Sequence, residues 1–200
     1  MVYCKKRKVV HTVLTHKGTQ VLHTPRLTLR RFTPEDAQAM YENWANDERV
    51  TRYLTWAPHT SADFTRQLLE QWCSAYDRPD NYQWAIEYEG QPIGSIGVVS
   101  GSDLHQRAEL GYCMGYSWWS RGLMTEAVQA VCDYLLYEVG FHRLEISHAV
   151  ENPGSGAVAR KCGFSYEGTR RGFHKSHDGR FLDIALYGLL RENQRKAAQT

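Results

Sequence analysis

Two stretches of the chain carry residue types and spacings that could do chemistry, the first of them suited to holding phosphate. The first runs Ala108, Glu109, Leu110, Gly111, Tyr112, Cys113, Met114, Gly115 and continues through Trp118, Trp119, Ser120, Arg121, Gly122, Leu123, Met124, Thr125, Glu126 and Ala127. A strand that enters a glycine-containing loop and passes straight into a helix gathers unpaired backbone N–H groups at the positive end of a helix dipole. Such a spot holds anions, nucleotide phosphates included, with little help from side chains. Taken alone the pattern is weak, because most helices that follow a glycine bind only water. The second stretch is Asn152, Pro153, Gly154, Ser155, Gly156, Ala157, Val158, Ala159, Arg160, Lys161, Cys162, Gly163, Phe164. There Asn152 suits a helix N-cap and Ser155 the first turn, a capping role that needs no chemistry.

Other reactive side chains are scattered. The five cysteines, Cys4, Cys73, Cys113, Cys132 and Cys162, are odd in number and never spaced C-x-x-C. They argue for reduced thiols in a cytoplasm rather than a disulfide framework or a zinc knuckle. None of the nine histidines forms the i, i+4 pair of a helix-borne zinc site. His174 and His177 come nearest, but they flank Asp178 and Gly179, which read as a turn, so no metal is expected. A net charge of +2 does not point to nucleic acid, which demands clustered cations. The one cluster, Lys5, Lys6, Arg7 and Lys8, precedes a stretch too weakly apolar for a signal-peptide core and reads as a solvated arm. With 200 residues, 42% hydrophobic and 23% charged, a single well-buried domain is expected, and no apolar run approaches the length of a membrane span.

The elements that would position these residues follow from periodicity. Leu27, Thr28, Leu29 and Arg30 alternate as a strand, and Thr33, Pro34, Glu35 and Asp36 then start a helix expected over 34–45. A second helix begins near Ser61, with Phe64, Leu68, Leu69 and Trp72 on its core face. Residues 82–88, 93–99 and 107–114 read as an antiparallel meander, followed by a helix over 122–138 with Gly140 as its C-cap. A strand over 143–149, a helix over 153–162 and two final strands, 164–171 and 180–190, complete the order. This is an α+β pattern with one mixed, mostly antiparallel twisted sheet of about seven strands flanked by about four helices. Residues 1–23 form an N-terminal extension, 24–194 the domain and 195–200 a tail.

Together the two stretches resemble the GNAT superfamily of N-acetyltransferases, in the branch that includes the ribosomal-protein N-terminal acetyltransferases. The likeness begins at Pro25, Arg26, Leu27, Thr28, Leu29, Arg30, Arg31, Phe32 and runs through the Glu-Leu-Gly-Tyr strand, the Trp-Ser-Arg-Gly-Leu-Met-Thr-Glu-Ala loop and helix, and the Asn-Pro-x-Ser to Cys-Gly-Phe segment. It implies a GNAT-like single domain and acetyl-CoA as co-substrate. The backbone of Cys113, Met114 and Gly115 would pair with the pantetheine arm, and the amides of Arg121, Gly122, Leu123, Met124 and Thr125 would cradle the pyrophosphate. Asn152 would contact the cofactor. Trp119 and Met124 stand where the superfamily commonly has Gln or Arg and Gly or Ala; the tryptophan is familiar in this branch, whereas the methionine would narrow the loop.

Transfer to an amine needs a neutral nitrogen, a stabilised oxyanion and a protonated leaving thiol. By resemblance, a backbone N–H near Met114 serves the oxyanion and Ser155 the thiolate. Glu109 and His174 are alternative bases, the first through a burial-raised carboxylate pKa, the second as a histidine where relatives carry a carboxylate. The acceptor is expected to be a primary amine, a protein N-terminus or a small molecule, in a pocket built by the helices of 34–76 with Trp44, Trp56 and Trp72. An α-amine is favoured because its pKa lies nearer neutrality than that of lysine. The resemblance allows a homodimer in the cytoplasm. Two other classes stand beside the enzyme: a non-catalytic acetyl-CoA sensor or structural subunit, which loss of Glu109, Asn152 or Ser155 would indicate, and an RNA-binding module using the Lys5 to Lys8 run.

Overall fold

The computed structural model describes residues 13–192, so the Lys5 to Lys8 run and the 195–200 tail lie outside the described residues. Its strands are β1 (Leu22–His23), β2 (Leu27–Arg30), β3 (Gln83–Tyr88), β4 (Gln91–Ser102), β5 (Arg107–Met114), β6 (Arg143–Ala149), β7 (Ser165–Lys175) and β8 (Phe181–Leu190). The α-helices are α1 (Ala37–Met40), α2 (Glu48–Thr51), α3 (Ala62–Ser74), α4 (Leu123–Asp133) and α5 (Pro153–Lys161). One eight-stranded sheet runs β1-β2-β3-β4-β5-β6-β8-β7. Every neighbouring pair is antiparallel except β5 and β6. The α+β class and mixed sheet are as expected; β1 and α2 are additions, each too short to show a period.

Local chemistry explains most boundaries. Glu89 and Gly90 take positive φ, 51° and 77°, which gives the tight turn that registers Tyr88 against Gln91. Ser61 caps α3 by accepting the Phe64 N–H at 3.1 Å. Gly140 ends the helical run after α4 at φ 102°. Asp36 accepts the Thr33 N–H and both Arg30 nitrogens, at 2.8–2.9 Å, which fixes the start of the first helix to β2.

Helices cover both faces of the sheet. On β3, Trp84 and Ile86 join the main core with α4, while Ala85 faces Phe32, Met40, Trp44 and Leu69 on the side of α1 and α3. Phe64, expected in that core, is 50% exposed because α3 buries the Thr65 and Leu69 side instead. Residues from Leu14 to His23, set before the compact fold by their lack of periodicity, lie along it. Thr15 N–H donates to Val139 O, Tyr134 Oη to Gly18 O and Trp84 Nε1 to Gln20 O, at 2.6–2.8 Å.

Candidate active site

The site begins with a fork. β5 and β6 pair in parallel only from Arg107 to Leu110 against Arg143 to Ile146. Beyond that point the strands part, so Gly111 to Met114 keep β4 on one edge and lose β6 on the other. Gly115 donates its N–H to Ile93 O across the β4 edge at 2.9 Å. Strand alternation then turns the Met114 N–H the opposite way, into the gap. The Met114 carbonyl accepts Trp119 Nε1 at 2.7 Å, which ties the following loop to the strand end.

That loop is shaped by Ser120 at φ 60° and Gly122 at φ 76°. The first helical hydrogen bond of α4 runs from Glu126 N–H to Gly122 O, leaving the amides of Leu123, Met124 and Thr125 without intrahelical acceptors. They face a cleft of about 1180 Å³. The Met124 side chain belongs to the main core, so it does not narrow the loop. Glu126, an acid in the first turn, is committed elsewhere. It accepts Thr24 Oγ1, the Arg26 N–H and Arg26 Nε at 2.6–2.9 Å. Burial would raise its carboxyl, but these hydrogen bonds and the Arg26 charge hold it below the usual range. Arg26 also donates to Arg121 O at 3.0 Å, and Arg121 reaches Tyr88 Oη at 3.0 Å.

Opposite the loop, Asn152 caps α5 by accepting the Ser155 N–H at 3.2 Å, and its Nδ2 donates to Ser155 Oγ at 3.3 Å. The serine hydroxyl therefore keeps its own hydrogen to give away. Tyr112 Oη donates to Ser155 O at 3.2 Å, and burial pushes its phenol far up, so it stays protonated. Tyr112 thus joins β5 to α5 across the fork. Cys113 lies against Ser95 Oγ at 3.3 Å; burial raises its thiol, leaving a poor nucleophile.

The structure brings Cys113, Met114, Gly122, Leu123, Met124, Thr125, Asn152 and Ser155 onto one cleft, whereas Gly115, Arg121, Glu109 and His174 do not line it. Glu109 lies where β5 and β6 are still paired, and it accepts a hydrogen bond from Ser147. It stands four residues before Cys113, about 13 Å along the strand. His174 is a residue of β7 rather than of the turn, opposite Leu182, with Nε2 buried and without a hydrogen-bond partner. Leu182 packs with Ala149, Ile184 and Tyr53, and Tyr53 does line the cleft.

The three tryptophans expected to build the acceptor pocket lie away from the cleft. Trp44 is fully buried in the core of α1 and α3, Trp56 and Trp72 pack against that core, and none lines the cleft. Part of the cleft is walled instead by Glu48 to Val50, Arg52 to Leu54, Tyr116, Glu151 and the β7–β8 turn with His177, Asp178 and Arg180. Arg49 stacks over Tyr116 at 4.0 Å while pairing with Asp47. The Ser176 hydroxyl and Arg180 hold the Asp178 carboxyl well below its usual range. The short helix α2 and a charged hairpin turn carry no periodic signal, so nothing in the spacing marks them. Among the described residues no group of three or more His, Cys, Asp or Glu is gathered as a metal site.

Residues 26–165 match the model of an acetyltransferase (GNAT) domain. The chain is 29% identical over 174 residues to the uncharacterized N-acetyltransferase p20 of Bacillus licheniformis, covering 86% of this chain and 97% of that protein. It is 27% identical over 150 residues to the ribosomal-protein-serine acetyltransferase of Escherichia coli K12, covering 74% and 83%. Among solved structures, RimL, a ribosomal L7/L12 α-N-protein acetyltransferase in complex with coenzyme A, superposes with a TM-score of 0.77 at 21% identity, covering 86% of this chain and 98% of that one.

Proposed function

The chain belongs to the GNAT acetyltransferase family and is an N-acetyltransferase, and from that premise we propose that it passes acetyl from acetyl-CoA directly to a primary amine, a protein N-terminal α-amine or a small amine. The observation that carries this reading is the fork between β5 and β6. It opens beside the unpartnered amides of α4 and the Ser155 hydroxyl on one continuous cleft. The residues fit the co-substrate. The amides of Leu123 to Thr125 suit its pyrophosphate, and the free edge of Tyr112 to Met114 suits an extended pantetheine arm. Bound there, acetyl-CoA supplies an acyl group already activated as a thioester.

The chain's residues would then divide the work. The Met114 N–H, turned into the gap, holds the carbonyl oxygen as negative charge builds on it. Ser155, kept in place by Asn152 and Tyr112, gives its hydroxyl hydrogen toward the departing sulfur. Of the two bases, His174 is supported by a ring nitrogen with no hydrogen-bond partner, opposite Leu182, whose cluster packs against the cleft-lining Tyr53. Glu109 is already bonded to Ser147. His177, which lines the cleft directly, is the control for His174. The amine's proton goes to the base, and no acyl group is carried on the chain, since Cys113 is held as a thiol.

Intact-mass analysis of chain and acceptor after incubation with acetyl-CoA tests this. Acetyl on the amine and none on the chain is expected. An acetylated chain that forms before the product would replace direct transfer with a covalent route.

The homologue that acetylates a ribosomal protein supports, by likeness, a protein N-terminus as acceptor. No helix among the described residues is long and apolar enough to cross a membrane.

A further inference from the structure

We propose that the acceptor is a polypeptide with an acidic segment just behind its N-terminal amine, and that this segment lies along the free edge of β7 against Arg170, Arg171 and Lys175. The inference rests on the amine-acceptor reading above and narrows its substrate class.

The sheet ends at β7, so one edge of that strand has no neighbouring strand, and its backbone N–H and C=O groups can bond an extended chain. The strand carries Arg170, Arg171 and Lys175, all exposed, against the single acid Glu167, which Arg143 already holds. Arg170 lies over the Phe173 ring at 4.7 Å, and among the described residues Arg171 and Lys175 have no carboxylate partner. Phe173 and Tyr166 are each 59% exposed on the same strand.

This edge starts at the mouth of the cleft. Lys175 is followed by the turn whose His177, Asp178 and Arg180 line the acceptor wall. Arg171 stands six residues before His177, at most about 20 Å away because the bulge at Gly172 and the turn after Lys175 shorten the path, within the reach of about six residues of a peptide. A polypeptide with its amine at the fork would therefore pass the cations of β7 with its next residues.

The wall itself disfavours a polyamine. Asp178 is held by Ser176 and Arg180, and Glu151 lies 3.6 Å from Arg180. Glu48 is the wall's one acid without an ionic partner among the described residues, enough for a single ammonium and not for a chain of them. The competing explanation for the β7 cations is that they keep the sheet edge from pairing with another copy. That role would not make the KM for an acceptor depend on its charge.

The test uses the full chain with acetyl-CoA and peptides that share their first residues but continue with Asp and Glu, with Gln, or with Lys, beside spermidine. The acidic peptide should show a KM at least about fivefold below the Gln peptide at low salt, the difference shrinking as salt rises. Arg170→Glu/Arg171→Glu should abolish that difference while leaving kcat for the Gln peptide unchanged. Fluorescence anisotropy of the same labelled peptides on the CoA-bound chain reads the surface without turnover. Acidic-peptide binding without acetylation would keep this inference and sink the acetyl-transfer reading. Acetylation with no charge preference would do the reverse. Equal KM values, preference for spermidine, tighter binding of a single-stranded RNA, or a dimer that dissociates in the double variant with KM unchanged would each overturn the proposal.

Discussion

Ser155 is held from two directions, its Oγ by Asn152 Nδ2 and its carbonyl by Tyr112 Oη. If the hydroxyl serves the leaving sulfur, Ser155→Ala should cut kcat roughly a hundredfold with little change in the KM for acetyl-CoA. Tyr112→Phe, which removes only the tether, should cost about threefold to tenfold in kcat. Steady-state kinetics on both variants distinguish this from a packing role, in which Tyr112→Phe would leave kcat intact. Asn152 and Ser155 were legible in the sequence because a cap followed by a small-residue helix is a local pattern. The partnership with Tyr112 was not, since it joins residues 43 apart in the chain. The surroundings of Glu109 were hidden for a related reason. Its strand was identified correctly, but where β5 and β6 part is a tertiary fact, and Glu109 falls on the paired side of it.

Elements position these groups through a few close approaches. A Cβ at Gly156 would lie 2.9 Å from His148 Nε2 and 3.0 Å from its Cε1, and that ring is stacked on Tyr187 at 5.4 Å. Gly156→Ala should therefore push α5 off β6 and destabilise the fold by about 1–3 kcal/mol, read as a lower denaturation midpoint. An unchanged midpoint would mean the helix is free to shift. The loop before α4 depends on Arg26, which spans Glu126 and the Arg121 carbonyl. Arg26→Ala should weaken acetyl-CoA binding about tenfold by calorimetry while leaving the KM for the amine unchanged. The strands and long helices were readable because their apolar residues repeat at the periods of 2 and 3.6. β1 and α2 are too short for either period, so the part of the cleft wall that α2 builds leaves no signal in the spacing.

One sheet carries both the fork and the adjoining hairpin turn whose His177, Asp178 and Arg180 line the same cleft. The stability of the whole molecule should respond to acid through two rings, the buried His59 and the half-buried His148. Burial lowers the pKa of both His59 and His148 below the 6.5 of a free ring; His148 Nδ1 also lies 2.8 Å from Ala149 O. The unfolded chain binds these protons more readily than the folded one. Stability is therefore full above about pH 6.5 and falls as pH drops through the window between the free and folded values. Thermal melts from about pH 7.5 to about 5.5 should show a falling midpoint, with a shallower slope in His59→Gln. A midpoint independent of pH would show that neither ring titrates differently on folding.

Direct acetyl transfer at the fork is read by thiol release from acetyl-CoA across a panel of N-terminal peptides, polyamines and amino acids. Release should require one acceptor class, fall sharply in Ser155→Ala and His174→Ala, and survive in His177→Ala and Glu109→Gln. Release that ignores the acceptor, or that persists in Ser155→Ala and His174→Ala alike, would contradict it.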